Sequence, residues 1–276
     1  MERLKKVGYI ESKTSKEVQC SKIGIGFEKL DRDVFDPEKA YDRVAELGVK
    51  WVRIMSGWKR TERKKGNYDF AWLDKVVDNL IARGLTPWMC LCYGNDLYSE
   101  NAKKVHRAEE NCERIYAKLL PTAQRFGVRI ATENMWGWNK DFTGFVPEAC
   151  GTSADFIKHL ELIDSPYLTA CVDIGHAQMK NAEGAAKMIR TMGKKYVGAL
   201  HVHDNDLIDD WHTAPFLGKT DWEEITSALA EIGYEHPFTY EADLLMKNYP
   251  NELLGSCLKL LHDTGRYLIA RIENKR

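Results

Sequence analysis

The sequence carries no excess of either charge: 40 lysines and arginines stand against 41 aspartates and glutamates in 276 residues. Without a basic stripe or a block of like charge, it lacks the electrostatic footprint of a nucleic-acid or anionic-membrane binder. Long apolar runs are also missing. None approaches the roughly 18 residues that span a bilayer. The opening Met1-Glu2-Arg3-Leu4-Lys5-Lys6 has no apolar signal core. A disulfide framework is absent as well, because the cysteines (Cys20, Cys90, Cys92, Cys112, Cys150, Cys171, Cys257) are odd in number, scattered, and partly set in apolar runs. Cys90 and Cys92 share a strand face, but no second pair lies near to complete a thiolate site. These absences predict a soluble cytoplasmic protein with a small-molecule partner. No Gly-rich phosphate loop is present, which favours an unphosphorylated ligand.

What is present is alternation. Apolar runs near residues 22–27, 49–55, 86–93, 128–134, 168–174, 197–204 and 237–242 read as buried parallel strands, separated by amphipathic helical stretches. Asp36-Pro37-Glu38 opens one helix, Asp69–Arg83 carries an apolar face closed by Gly84, and Thr152 and Asp221 cap two later helices. A long helix over 102–126 is expected to kink or break at Pro121. The fold class is α/β, and the length suits one (β/α)8 TIM barrel of about 250 residues. Only seven strands are clear, so the barrel is irregular or composite unless Val7-Gly8-Tyr9-Ile10 supplies an eighth. No second domain is indicated, so 1–276 reads as a single barrel domain.

The chemistry collects at strand ends, where barrels keep their active sites. Glu133, Asp173, His201 and Glu241 occupy the C-terminal tips of successive strands. One such acid is ordinarily a helix cap or an ion-pair partner, but four together form a carboxylate-rich set with one imidazole. That set suits a single divalent ion: Mn²⁺, Mg²⁺, Co²⁺ or Zn²⁺. An ion gripping two adjacent substrate oxygens would stabilise an enediolate, and Glu133 and Glu241 on opposite sides could exchange the proton. A neutral His176 could donate to the carbonyl oxygen. His203 shares the face of His201, two residues on, and reads either as a substrate or ligand-supporting contact or as a packed strand-end histidine.

Two resemblances overlay this pattern. Gly48-Val49-Lys50-Trp51-Val52-Arg53, Gly57-Trp58, Gly66-Asn67-Tyr68-Asp69-Phe70-Ala71-Trp72-Leu73-Asp74, Pro87-Trp88 and Tyr93-Gly94-Asn95 resemble the N-terminal part of family 39 β-xylosidase-like glycoside hydrolases, over about residues 5–98. Glu133-Asn134-Met135, Val172-Asp173-Ile174-Gly175-His176-Ala177, His201-Val202-His203-Asp204-Asn205, Asp221-Trp222 and Tyr240-Glu241 resemble the sugar phosphate isomerase/epimerase group, the xylose-isomerase-like barrels, over about 105–270. The first resemblance implies that Trp58, Tyr93 and Asn95 help to bind sugar, and Trp136 would extend that pocket. The second, with the more specific motif order, implies a metal held by Glu133, Asp173, His201 and Glu241, with His176 on substrate. Nucleases of the same superfamily hold additional ions with an Asp-x-His that Asp210-Trp211-His212 matches, so Asp210 and His212 are candidates for a second metal. Their early histidines are absent, since no histidine precedes His106.

The isomerase relatives place their first ligand glutamate on the fifth strand, whereas Glu133 lies on the fourth counted here. Two barrel fragments joined near residues 98–108 would explain this. Three functions follow. The first is a divalent-metal-dependent isomerase or epimerase of a sugar or sugar phosphate. The second is a retaining glycosidase using Glu133 and Glu241, although Thr132, rather than the usual Asn, precedes Glu133, and Asp173, His176 and His201 go unexplained. The third is a composite barrel scaffold that keeps the metal site without efficient activity.

Overall fold

A computed structural model describes residues 12–27, 29–91, 95–98, 109–139, 141 and 144–276. In chain order the elements are β1 (Ile23–Phe27), α1 (Tyr41–Glu46), β2 (Trp51–Met55), α2 (Trp58–Thr61), α3 (Ala71–Ala82), β3 (Thr86–Cys90), α4 (Glu109–Phe126), β4 (Ile130–Glu133), β5 (Trp136–Trp138), β6 (Phe145–Pro147), α5 (Ser153–Ile163), β7 (Leu168–Asp173), α6 (Ile174–Gln178), α7 (Ala185–Tyr196), β8 (Val197–Val202), α8 (Trp222–Glu231), β9 (Phe238–Tyr240), α9 (Asp243–Asn248) and α10 (Asn251–Asn274). All seven expected strands form, each trimmed at its ends. They build one parallel sheet in the order β3-β2-β1-β9-β8-β7-β4, while β5 and β6 pair as a separate antiparallel hairpin.

Strand alternation divides the side chains between two faces. On the outer face Ile23, Ile25, Phe27, Val52, Ile54, Val172, Leu200, Val202, Phe238 and Tyr240 pack against helices through residues such as Leu80, Phe156, Ile189, Leu229 and Leu258. The inner face is smaller and more polar: Gly24 and Gly26 on β1, Arg53 on β2, Trp88 on β3, Glu133 on β4, Asp173 on β7, His201 on β8 and Thr239 on β9. The sheet is strongly curled. Trp88 and His201 belong to strands four places apart, which in a flat sheet is about 19 Å, yet their rings are 6.1 Å apart.

The seam between first and last strands is closed, with Ile23 opposite Phe238 and Gly24 opposite Thr239. The edges of the sheet are instead β3 and β4, and among the described residues no strand lies between them. Among the described residues the irregularity expected of this barrel therefore falls between its third and fourth strands. Val7–Ile10, the suggested eighth strand, lies outside the described residues. Helix α4 does not break at Pro121, which sits inside it. Leu120 and Ala123 on either side pack on the body of the protein, and this packing offsets the one hydrogen bond that proline removes. The expected caps do form: Thr152 Oγ1 accepts from Asp155 N, and the Asp221 carboxylate from Glu224 N.

Candidate metal centre

Four strand tips bring Glu133, Asp173, His201 and Glu241 together, with ligand atoms within 4.8 Å of one another. The pairing register explains why. Glu133 lies beside Cys171, two residues before Asp173, and Asp173 pairs with His201. His201 pairs with Thr239, two residues before Glu241. Around His201 Nδ1 stand Glu241 Oε2 at 2.8 Å, Glu133 Oε1 at 3.2 Å and Asp173 Oδ2 at 3.7 Å. Ligands about 2.1 Å from one small divalent ion lie about 3.0–3.4 Å apart. The spacing fits. His201 Nδ1 and Glu241 Oε2 are buried and lie close without the alignment of a hydrogen bond. With the imidazole deprotonated, Nδ1 and Oε2 would turn their lone pairs to one point, the arrangement of a ligand pair.

Asp173 is held in place from several directions. Asn134 Nδ2 donates to its carbonyl at 3.1 Å, its own N–H donates to Asn134 Oδ1 at 2.7 Å, and the His176 N–H donates to its Oδ1 at 2.8 Å. His203 Nε2 donates between both carboxylate oxygens, 3.0 Å from Oδ1 and 3.2 Å from Oδ2, and Oδ2 also faces His201 Nδ1 at 3.7 Å. His203 is fully buried and set against a candidate ligand by this contact. Its ring needs Gly175, because a Cβ there would stand 1.9 Å from His203 Cε1.

A second group adjoins the first. His176, His203, Asp210 and His212 also bring ligand atoms within 4.8 Å of one another, so Asp210 and His212 gain two histidine partners. Asp210 Oδ2 lies 2.9 Å from His212 Nε2 and 3.4 Å from His176 Nε2. His176 Nδ1 donates to the Asn134 carbonyl at 2.9 Å.

The concentration of carboxylates governs protonation. Burial pushes His176 down, but Asp173, Asp210 and Glu133 outweigh it and lift its pKa to about 10. His212 rises against burial to about 9 through Asp210 and Glu241. His201 is likewise raised well above the usual imidazole range against burial, by Cys171, Glu133 and Glu241 with Arg53 opposing. Burial would raise Asp210 and Glu241, but the surrounding cations hold both well below the ordinary carboxylate range. With no ion present these carboxylates favour the protonated form of His176, where the sequence reading has it neutral. Its neighbours are anionic.

The predicted sugar-contact residues divide. Trp136 reaches the cluster's margin: its ring is 6.2 Å from that of His176, and both line a shallow pocket with Phe145 and Met179. Trp58 and Asn95 instead surround Glu62. Trp58 Nε1 donates to its carboxylate at 2.5 Å, and Asn95, 1% exposed, donates to its carbonyl at 2.8 Å. The Asn95 amide oxygen accepts from Leu97 N at 3.0 Å, so both ends of that amide are used internally. Tyr93 lies outside the described residues. Sequence reasoning missed Asn134 and Arg53. The latter is 3% exposed, and its Nη1 lies 3.1 Å from Glu241 Oε1. An arginine in an otherwise apolar strand was the available signal.

A curled parallel α/β sheet with acids and imidazoles gathered at its strand tips is a TIM-barrel site in its architecture. The family model described as xylose isomerase-like TIM barrel matches residues 105–253, and the chain belongs to that family. Residues 27–95 match a second model, that of beta-galactosidase, in agreement with the glycosidase-like N-terminal motifs. An uncharacterised protein of Methanocaldococcus jannaschii is 29% identical over 127 residues, which is 45% of this chain and 40% of that protein. The chain therefore spans less than half the length of this curated relative. D-psicose 3-epimerase with D-tagatose from Clostridium cellulolyticum is a structural neighbour at 16% identity and TM-score 0.58, covering 90% of this chain and 99% of that one. An L-ribulose 3-epimerase is another, at 15% identity and TM-score 0.58, covering 91% and 97%. At such identities the likeness is one of fold. No helix among the described residues is long and apolar enough to cross a membrane.

Proposed function

We propose that the protein is a divalent-metal-dependent isomerase or epimerase of a small, unphosphorylated sugar. The observation that carries this reading is the convergence of Glu133, Asp173, His201 and Glu241. Those four residues would hold one Mn²⁺, Mg²⁺, Co²⁺ or Zn²⁺. When bound, the ion would supply the Lewis acidity that stabilises negative charge on adjacent substrate oxygens.

The chain's own groups would do the rest. Glu133 and Glu241 face the same point from β4 and from the end of β9, on opposite sides of His201. One would take the proton from the substrate carbon and the other return it. His176, fixed by the Asn134 carbonyl through Nδ1, would present Nε2 to a substrate oxygen. Trp136 would offer an apolar wall to the sugar ring. Of the other candidates, Trp58 keeps an exposed ring face that a sugar could meet, whereas Asn95 spends its amide inside the protein. A second ion would be held by Asp210 and His212. The barrel is read as one domain whose two fragments meet near residues 98–108.

Metal analysis by mass spectrometry tests the reading, with wild type beside the Glu133→Gln, Asp173→Asn double variant. About one divalent ion per chain, absent from the double variant, justifies a screen of ketoses and aldoses for metal-dependent interconversion. An ion bound without turnover on any sugar would favour the scaffold reading. A chain that takes up no ion even from excess Mn²⁺ or Zn²⁺, yet cleaves aryl glycosides, would leave the glycosidase in place.

A further inference from the structure

The metal site proposed above lies on β4, on β7, on β8 and at the end of β9, all within the part that matches the xylose isomerase-like model. One charged side chain from the other part reaches it. Arg53 stands at the middle of β2, opposite Gly26 on β1. That neighbour has no side chain, so the guanidinium can cross β1 and arrive at the end of β9. There its Nη1 lies 3.1 Å from Glu241 Oε1, with the two side chains 3% and 8% exposed. Arg53 Nη2 donates to Cys90 Sγ at 3.4 Å, which ties the group to β3 as well.

The two oxygens of Glu241 therefore have different surroundings. Oε1 faces Arg53, with His212 Nδ1 3.7 Å away, while Oε2 faces His201 Nδ1 at 2.8 Å. A carboxylate between a guanidinium and a metal position cannot swing to offer both oxygens to the ion without leaving the buried cation. We infer that Arg53 is a positioning residue that fixes Glu241 as a one-oxygen ligand, making metal binding in the C-terminal part depend on a residue of the N-terminal part. The inference rests on the metal reading. It assigns the ligand geometry to a residue that would not touch the ion.

Two physical roles for Arg53 predict opposite signs. As a bare positive charge it would repel the ion, and its removal would tighten binding. As a support for the ligand its removal would weaken binding, on the order of 10- to 100-fold. The experiment titrates Co²⁺ into the metal-free full chain of wild type, R53K, R53M, E241Q and R53M/E241Q, read by calorimetry and by the visible Co²⁺ spectrum. The expected result is at least about ten-fold weaker binding and a shifted spectrum in R53M, partial recovery of both in R53K, and no further loss when R53M is added to E241Q. Unchanged or tighter binding by R53M with the wild-type spectrum overturns the inference, as does an equal loss in the Glu241→Gln background. Should R53M fail to fold, R53K against wild type and R53M/E241Q against E241Q decide the matter, since the double variant leaves no buried carboxylate unpaired. A wild type that binds no Co²⁺ defeats the metal reading and the inference together, whereas metal binding indifferent to Arg53 defeats the inference alone.

Discussion

Asp173 shows how a single side chain can be a cap, an acceptor and a candidate ligand at once. Its Oδ1 accepts from His176 N, the two oxygens share His203 Nε2, and Oδ2 is the one nearer His201 Nδ1 in the cluster. Gly175→Ala is expected to push the His203 ring off Asp173, costing about 2–4 kcal/mol by the scale of disrupted buried contacts and weakening metal uptake. Denaturant melts and metal analysis on one preparation would check both. The histidines give a second expectation. His176 and His212 are raised to about 10 and about 9 in the fold from an ordinary value of 6.5, so the folded state holds extra protons between these limits. Their stabilisation is complete below pH 6.5 and is lost as pH climbs through 9 and 10. The urea midpoint of EDTA-treated protein should therefore fall between pH 7 and 10, and a flat or rising midpoint would count against this assignment. The strand-end acids were legible in sequence because a carboxylate terminating an apolar run is chemically conspicuous. Arg53 was conspicuous only as a charge in an apolar strand, and its partner, like that of Asn134, comes from cross-strand register that no local pattern encodes.

The loop after β8 is more firmly built than a surface connection. Asp204 is fully buried, and its carboxylate accepts from the backbone of Asn205, Phe216 and Thr220 and from Trp222 Nε1, at 2.9–3.1 Å. The same residue exchanges backbone bonds with Thr213, so the segment bearing Asp210 and His212 is fastened at both ends. Asp204→Ala would leave several buried donors unsatisfied, at about 1–3 kcal/mol each before water relieves them. The expected outcome is a lower melting temperature and new protease cleavage between residues 205 and 219; an intact, uncut loop in the variant would show that the carboxylate is dispensable. Elements as such were readable from period and caps. The fastening was not: an aspartate after His-Val-His looks like any strand-end acid until the chain returns to it some dozen residues later.

For the whole molecule, an ion bound only by the fold must stabilise it. At 100 times its dissociation constant the gain is about 2.7 kcal/mol, which in a chain of this size raises the melting temperature by about 5–10 °C. Differential scanning with Mn²⁺, then with excess EDTA, should show that rise and its reversal. The barrel class was legible from alternation and the strand count from apolar runs, but the position of the irregularity was not, because closure is a property of the sheet as a whole. The sheet order has a further result. β1 is an interior strand, third of the seven and beside the central β9, and Lys22 just before it forms a 2.7 Å ion pair with Glu273 near the end of α10. The polypeptide thus enters its own sheet away from either edge, and the two outermost strands are separated in sequence by residues 91–129. Joining Arg276 to Ser12 through a short linker and cutting within 98–108 would give a circular permutant whose sheet strands follow one another in space in the order in which they are synthesised.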